Sequence, residues 1–208
     1  MRPILFTAGA TRNPVDAIRY LSAGASGGTA VALAASMPDR RIHLLGSPEA
    51  LLRAQLAGVR GTLEAYGGTR DLMARMERAI RATPDAVVVH SAAVGDYELA
   101  APTTEKIPSG RESITLTLVP APKIVDRVRE WAPDAALVSF KAAPPGTTPD
   151  ALEAIARAQL VRTRSDLVFA NALGALDTSV LLVSATGAQA FERRDAAVEA
   201  LRAWINAR

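Results

Sequence analysis

Cysteine is absent from the 208 residues. That excludes disulfides, thiolate nucleophiles and cysteine-ligated metal sites. Histidine is nearly as scarce: His43 and His90 both lie inside apolar runs, and no H-E-x-x-H spacing is present, so no zinc site is expected. Aromatic residues make up only 4% of the chain, and no basic run carries them interleaved. Nucleic acid is therefore not an expected partner. Lysine is confined to Lys106, Lys123 and Lys141, and the net charge is only +3. Long apolar runs are missing as well. Ile4, Leu5 and Phe6 open the chain but give way to a Gly/Thr/Arg/Pro segment, too short a run for a signal peptide or membrane helix. A cytoplasmic protein is the expectation. What is present is a 49% share of hydrophobic residues, which argues against disorder and for one domain with a real core. No repeat or linker divides it, so residues 1–208 are taken as a single domain.

Short apolar runs alternate with longer helical patterns. PILFTAGA, RIHLLGS, AVVVHSAAV, ALVSFKAA, DLVFANAL and SVLLVSA have the composition of strands. GTAVALAASM, TRDLMARMERAIRA, TPDALEAIARAQLVRTR and DAAVEALRAWINAR have that of helices. Leu72, Met73, Met76 and Ile80 fall at helical spacing, with Thr69 as the expected N-cap; Thr148 before Pro149 and Asp150 starts another helix. Strand–helix alternation with apolar strands predicts an α/β, Rossmann-like three-layer sandwich, its mostly parallel sheet covered by helices on both faces. One stretch breaks the pattern. ELAAPTTEKIPSGRESITLTLVPAPKI holds four prolines and a Ser-Gly turn before an alternating SITLTLV. It predicts a flap and a strand outside the main sheet, Ser113–Val119, whose apolar face needs a partner such as a second subunit.

In such folds ligands sit outside the carboxyl ends of the strands. Gly24, Gly27 and Gly28 precede a helix without the G-x-G-x-x-G spacing; they make either a phosphate turn or a simple tight turn. The loop before them carries Thr11, Arg12 and Arg19, surface residues by type or phosphate partners by position. Asp96 follows a very apolar strand, where it would bind a ribose hydroxyl or metal or simply face solvent. Lys106 would swing over a triphosphate or be solvated. Asn171 would line a ligand or tie a turn.

Taken together, these stretches resemble the phosphopantothenoylcysteine synthetase (phosphopantothenate–cysteine ligase) family over nearly the whole chain. TAGATRNPVDAIRYLSAGASGGTAVALA is similar to the family's T-A-G-G-T-R-E-P-[IL]-D-x-V-R-[YF]-I-[ST]-N-x-S-S-G-x-x-G-x-x-[IL]-A. SAAVGDY resembles A-A-V-[AS]-D-[YF]; EKIPSG resembles the flap K-[IL]-K-[KS]; LTLVPAPKIV, LVSFKAA and DLVFANAL resemble L-x-L-x-x-[NT]-P-[DK]-I-[IL], [VI]-G-F-A-x-E-T and D-[LM]-[IV]-V-A-N-x-[LV].

The resemblance implies a reaction. The carboxylate of 4′-phosphopantothenate attacks the α-phosphate of ATP or CTP, with Mg²⁺, to give an acyl-nucleotidylate and pyrophosphate. The amine of cysteine then displaces the nucleotide. It also implies a homodimer joined through the flap-side strands. Carried over position by position, it assigns catalytic roles to Lys106, Arg19 and Asn171. Nucleotide contacts fall to Gly9, Thr11, Ser26, Gly27, Ala92, Ala93, Asp96 and Phe140, and the substrate phosphate to Arg12; no residue is assigned to a metal. Several family positions differ. The asparagine of S-N-x-S-S-G is Ala23, the two lysines before the D-L-I-V-A-N strand fall on Gln159 and Thr163, and E-T is Pro144-Pro145. The alternatives are a divergent relative that binds a nucleotide or phosphorylated metabolite without ligating, or a nicotinamide- or sugar-nucleotide enzyme of the same broad fold.

Overall fold

The computed structural model describes all of residues 1–208. The chain opens with β1 (Ile4–Ala8), every residue of which is buried. A small antiparallel pair follows, β2 (Arg12–Pro14) and β3 (Tyr20–Ser22). Next come α1 (Gly28–Ala35), β4 (Ile42–Gly46), α2 (Pro48–Leu56), β5 (Thr62–Ala65), α3 (Thr69–Ala82) and β6 (Val87–His90). Two short strands outside the main sheet, β7 (Tyr97–Leu99) and β8 (Leu118–Pro120), flank the flap. A 3-10 turn at Ile124–Arg127 runs into α4 (Val128–Trp131). The chain closes with β9 (Ala136–Ala143), α5 (Pro149–Thr163), β10 (Leu167–Ala172), β11 (Val180–Ser184), β12 (Gly187–Phe191) and α6 (Arg194–Asn206).

The main sheet has eight strands in the order β12-β11-β10-β9-β6-β1-β4-β5. All pairings from β10 to β5 are parallel; β11 and β12 are antiparallel additions at one edge. Helices α1, α2 and α6 pack on one face, around Phe6, Leu33, Leu44 and Phe169. On the other face α3 and α4 cover Leu5, Val88 and Leu137, and α5 covers Val168 and Ala170. This is the expected three-layer arrangement. Strands buried on both faces have no alternation, so β10 shows six buried residues in a row.

The order places a topological switch between β1 and β6. From β1 the chain moves outward through β4 and β5, then returns to the opposite side of β1. Crevices at the carboxyl ends of strands open at such a switch. Here the loops after β1 and β6 are tied together: Ala93 N–H donates to Gly9 O (2.9 Å) and Thr11 N–H to Ala93 O (3.1 Å), and Ala10 bridges Ala93.

Four details differ from the sequence-based expectation. Residues 48–66, left unassigned by the apolar pattern, form α2 and β5; α2 starts with Ser47 capping Ala50 N–H (3.3 Å) ahead of Pro48 and Glu49. β12 was hidden because GAQAF has no strong period and lies at an edge. Thr69 is not the cap of α3. It is the first helical residue, and its N–H is satisfied by Asn13 Oδ1 (2.7 Å) from the distant β2. Finally, the alternating Ser113–Val119 forms a ladder only from Leu118, against β7. Ile114 and Leu116, outside the ladder, and Leu118, within it, are all exposed.

Candidate functional site

The first loop is built on close backbone approach. Gly9 and Gly27 have φ of +88° and +79°, a left-handed conformation that costs non-glycine residues energy. A Cβ on Gly27 would stand 2.6 Å from Gly9 N, so the end of β1 and the start of α1 touch. Small residues Ala30, Val31 and Ala34 let α1 lie this near the sheet. Gly27 provides no side-chain cap for α1, and the first N–H groups of a helix have no intrahelical acceptor. Beside them is a hollow of about 470 Å³ lined by Arg12, Tyr20, Ala23, Ser26, Ser47 and their neighbours. The Arg12 guanidinium lies over the Tyr20 ring at 4.9 Å. No carboxylate lies within ion-pair distance of Arg12.

A second hollow, about 290 Å³, lies on the other side of the Ala10–Ala93 bridge. Its walls come from β6 and its loop (His90, Ala92, Ala93, Asp96), the 3-10 turn, β9 (Ser139, Phe140, Lys141) and α5 (Gln159, Arg162). Two of the chain's three lysines, Lys123 and Lys141, are here. Lys123 pairs with Asp96, and Arg162 with Asp126. Phe140 stacks on Phe169, ring centroids 4.7 Å apart. Gln159 and Thr163 are buried in an internal polar network. Gln159 donates to Ser139 Oγ (2.9 Å), and Thr163 to Gln159 O (2.8 Å).

The expected site residues therefore divide. Arg12 and Ser26 line the first hollow, while Ala92, Ala93, Asp96 and Phe140 line the second. Thr11 faces neither: its buried hydroxyl accepts from Gly95 N–H (2.9 Å) and pairs with Thr69 Oγ1 (3.2 Å). Asn171, 6% exposed on β10, makes no side-chain hydrogen bond and so ties no turn. Arg19 is engaged by Asp16, a residue the sequence did not single out. The buried Asp16 carboxylate accepts from the N–H groups of Ile18 (2.9 Å), Arg19 (2.8 Å) and Ile107 (3.0 Å), and pairs with the Arg19 guanidinium. Arg19 also donates to Ile107 O (3.3 Å). Burial alone would raise the Asp16 carboxyl; these donors outweigh it and hold it down to about 2. The clasp fixes the flap at the residue next to Lys106, whose own side chain is exposed.

No three His, Asp or Glu side chains gather to hold a metal ion. Asp96 is the one carboxylate lining the second hollow. That donor set fits a Mg²⁺ arriving on substrate phosphates, which takes one or two protein carboxylates; it does not fit a resident ion.

Residues 1–201 match the family of DNA/pantothenate metabolism flavoprotein C-terminal domains. The chain belongs to this family. It is 35% identical over 207 residues to the coenzyme A biosynthesis bifunctional protein CoaBC of Thermococcus kodakarensis, a match that spans 97% of this chain and 49% of that protein. It is 30% identical over 175 residues to CoaBC of Escherichia coli, covering 81% and 40% respectively. The chain thus spans about half the length of these relatives, or less. Among solved structures, the Streptococcus pneumoniae DNA/pantothenate metabolism flavoprotein superposes with a TM-score of 0.83 at 22% identity, covering 100% of this chain and 99% of that one. A Cab2 mutant in complex with phosphopantothenate-cysteine superposes with a TM-score of 0.77 at 18% identity, covering 99% and 88%. At such identities the superpositions speak for the fold.

Proposed function

We propose that the protein joins 4′-phosphopantothenate to cysteine at the expense of ATP or CTP, through an acyl-nucleotidylate, as a step of coenzyme A biosynthesis. Family membership supports this reading. So does the placement of two hollows on either side of one backbone bridge at the sheet's switch point. The nucleotide lies with its base end in the Phe140 hollow, and its phosphates run past Lys141 and Arg162 toward the Gly9–Gly27 turn. Arg12 takes the phosphate of the acyl substrate. Its guanidinium makes no ion pair, and Glu49, the carboxylate in the same hollow, is held by Arg53, so no ion pair of Arg12 must break first. The substrate carboxylate then meets the α-phosphate near the bridge. Main-chain N–H groups at the start of α1 and Lys106 from the flap face the charge that develops as pyrophosphate leaves. Mg²⁺ carried in with the nucleotide supplies further charge neutralisation, with Asp96 available as a ligand once Lys123 turns to the phosphates.

The apolar side chains exposed at alternate positions along the flap arm, Ile114, Leu116 and Leu118, offer a surface for a second copy of the chain. A homodimer would cover them, and a monomeric mass in solution would rule that out.

A second reading has its own support. Ala23 lines the Arg12 hollow without a polar side chain, and the Gln159 amide nitrogen and Thr163 hydroxyl donate internally, so neither position offers a donor to a phosphate. Losing one transition-state donor costs roughly 3–4 kcal/mol, enough to leave a nucleotide- or phosphometabolite-binding protein that does not ligate. One assay separates the two. The protein is incubated with 4′-phosphopantothenate, cysteine, Mg²⁺ and ATP or CTP, and pyrophosphate is measured. Cysteine-dependent release is the expected result. Silence with both nucleotides, despite measurable binding, would replace ligation with the second reading.

A further inference from the structure

His90 plays no part in the reading above, yet it closes the floor of the Phe140 hollow at 6% exposure. Its protonation can be worked out from its neighbour. Thr7 is fully buried, and its hydroxyl oxygen accepts from Ala92 N–H (3.0 Å). The one other group within hydrogen-bond distance of that hydroxyl is His90 Nδ1 (2.9 Å). A buried hydroxyl hydrogen needs an acceptor, so Thr7 donates to Nδ1, which is then bare. The neutral ring carries its hydrogen on Nε2. Burial pushes the imidazole down to about 4, and Lys123, Lys141 and Arg162 around the same hollow disfavour a further positive charge. Gln159 is fixed in the same way. Its amide nitrogen donates to Ser139 Oγ (2.9 Å) and to Phe140 O (3.1 Å). A carbonyl can only accept, so the amide cannot be flipped, and Oε1 is left over. Neither His90 Nε2 nor Gln159 Oε1 has a protein partner. Neither is sealed in, because the one fully buried side-chain nitrogen or oxygen without a partner is Arg40 Nε. Both therefore open into the hollow that their residues line, on either side of Ser139, which pairs with His90 in register.

The hollow is thus graded. Its floor is neutral, with one donor and one acceptor, while its rim is cationic: the side chains of Lys123 and Arg162 are 55% and 47% exposed. We propose that His90 Nε2–H and Gln159 Oε1 read the heterocyclic edge of the nucleotide, which enters base first and leaves its phosphates at the Lys141–Arg162 rim. Adenine and cytosine each carry an amine beside a bare ring nitrogen, the complement of one acceptor beside one donor. This rests on the nucleotide-dependent reading under Proposed function.

Calorimetry on the full chain tests it with ATP, CTP, their analogues lacking the exocyclic amine, and inorganic tripolyphosphate. The wild type binds the analogues about tenfold more weakly than the parent nucleotides. His90→Phe weakens ATP and CTP about tenfold, or about 1.4 kcal/mol, leaves tripolyphosphate within twofold, and His90→Gln restores part of the loss. Nitrogen-15 NMR of the wild type covers the case in which the Phe variant fails to fold. It finds His90 protonated on Nε2, with that signal moved by nucleotide and not by tripolyphosphate. A His90 ring protonated on Nδ1, a signal that ignores bound nucleotide, or equal losses for nucleotide and tripolyphosphate would overturn the inference and leave the functional reading standing. A wild type that binds tripolyphosphate but neither nucleotide would overturn both.

Discussion

The two hollows beside the Ala10–Ala93 bridge are made differently. The first lies beside a turn held by backbone, with glycines at positive φ and an uncapped helix start, and carries Arg12 and Glu49 as the charged side chains on its wall. The second is built of side chains delivered by four separate segments. A backbone site survives exchange of most of its side chains but tolerates almost no change at its glycines. A side-chain site behaves the other way round. Hence an exchange at Ala23 in the first hollow should leave the turn unaltered, while in the second a single exchange, such as one at Gln159, should change what the floor can recognise.

The sharpest way to break this contrast is at the glycines. Gly27→Ala forces a Cβ to 2.6 Å from Gly9 N at φ +79°; positive-φ strain and overpacking together should cost about 3 kcal/mol or more, visible as a large drop in Tm. Gly24→Ala, three residues earlier and with nothing within 4 Å of the added Cβ, should change stability by less than about 0.5 kcal/mol. Equal effects would mean that the turn is not held by close approach.

The Asp16 clasp gives the next largest effect. Asp16→Asn removes the carboxylate that holds Ile107 N–H and the Arg19 guanidinium, so proteolysis within residues 101–117 should quicken severalfold while the main sheet persists. The same pairing has a pH signature. The folded carboxyl sits at about 2, below its ordinary value of 3.8, so it binds its proton less readily folded than unfolded. Its contribution is complete above about pH 4 and lost as pH falls toward 2. Acid titration of the wild type should release the flap in that window, and Asp16→Asn should abolish that step.

Smaller effects are expected at Lys106. Lys106→Ala should weaken triphosphate binding more than monophosphate binding, by a fewfold. Equal changes would make it a solvated flap residue.

Much of the scaffold was legible in the sequence because parallel strands buried on both faces announce themselves as apolar runs. α3 and β9 have the limits that their patterns suggest. The edges were not legible: β5 and β12 are short, half exposed and without period. α2 does carry a Ser-Pro-Glu start, a cap signal present in the sequence. For the site, sequence could indicate Arg12 and Asp96 as candidates, since each follows a strand, whereas Phe140, inside β9, was indicated by the family resemblance alone. It could not show that Thr11 is spent on Thr69 and Gly95, that Asn13 caps a helix fifty-six residues away, or that Asp16 anchors the flap. Those are pairings between distant segments, and no local pattern encodes them.

The central claim is that the two hollows serve two ligands at once, nucleotide on the side-chain side and substrate phosphate on the backbone side. Calorimetry of Arg12→Ala and Arg162→Ala with ATP or CTP and with 4′-phosphopantothenate tests it most directly. A crosswise pattern is predicted: Arg162→Ala loses about tenfold for the nucleotide alone, and Arg12→Ala about tenfold for 4′-phosphopantothenate alone. Parallel losses for both ligands in either variant would contradict the division.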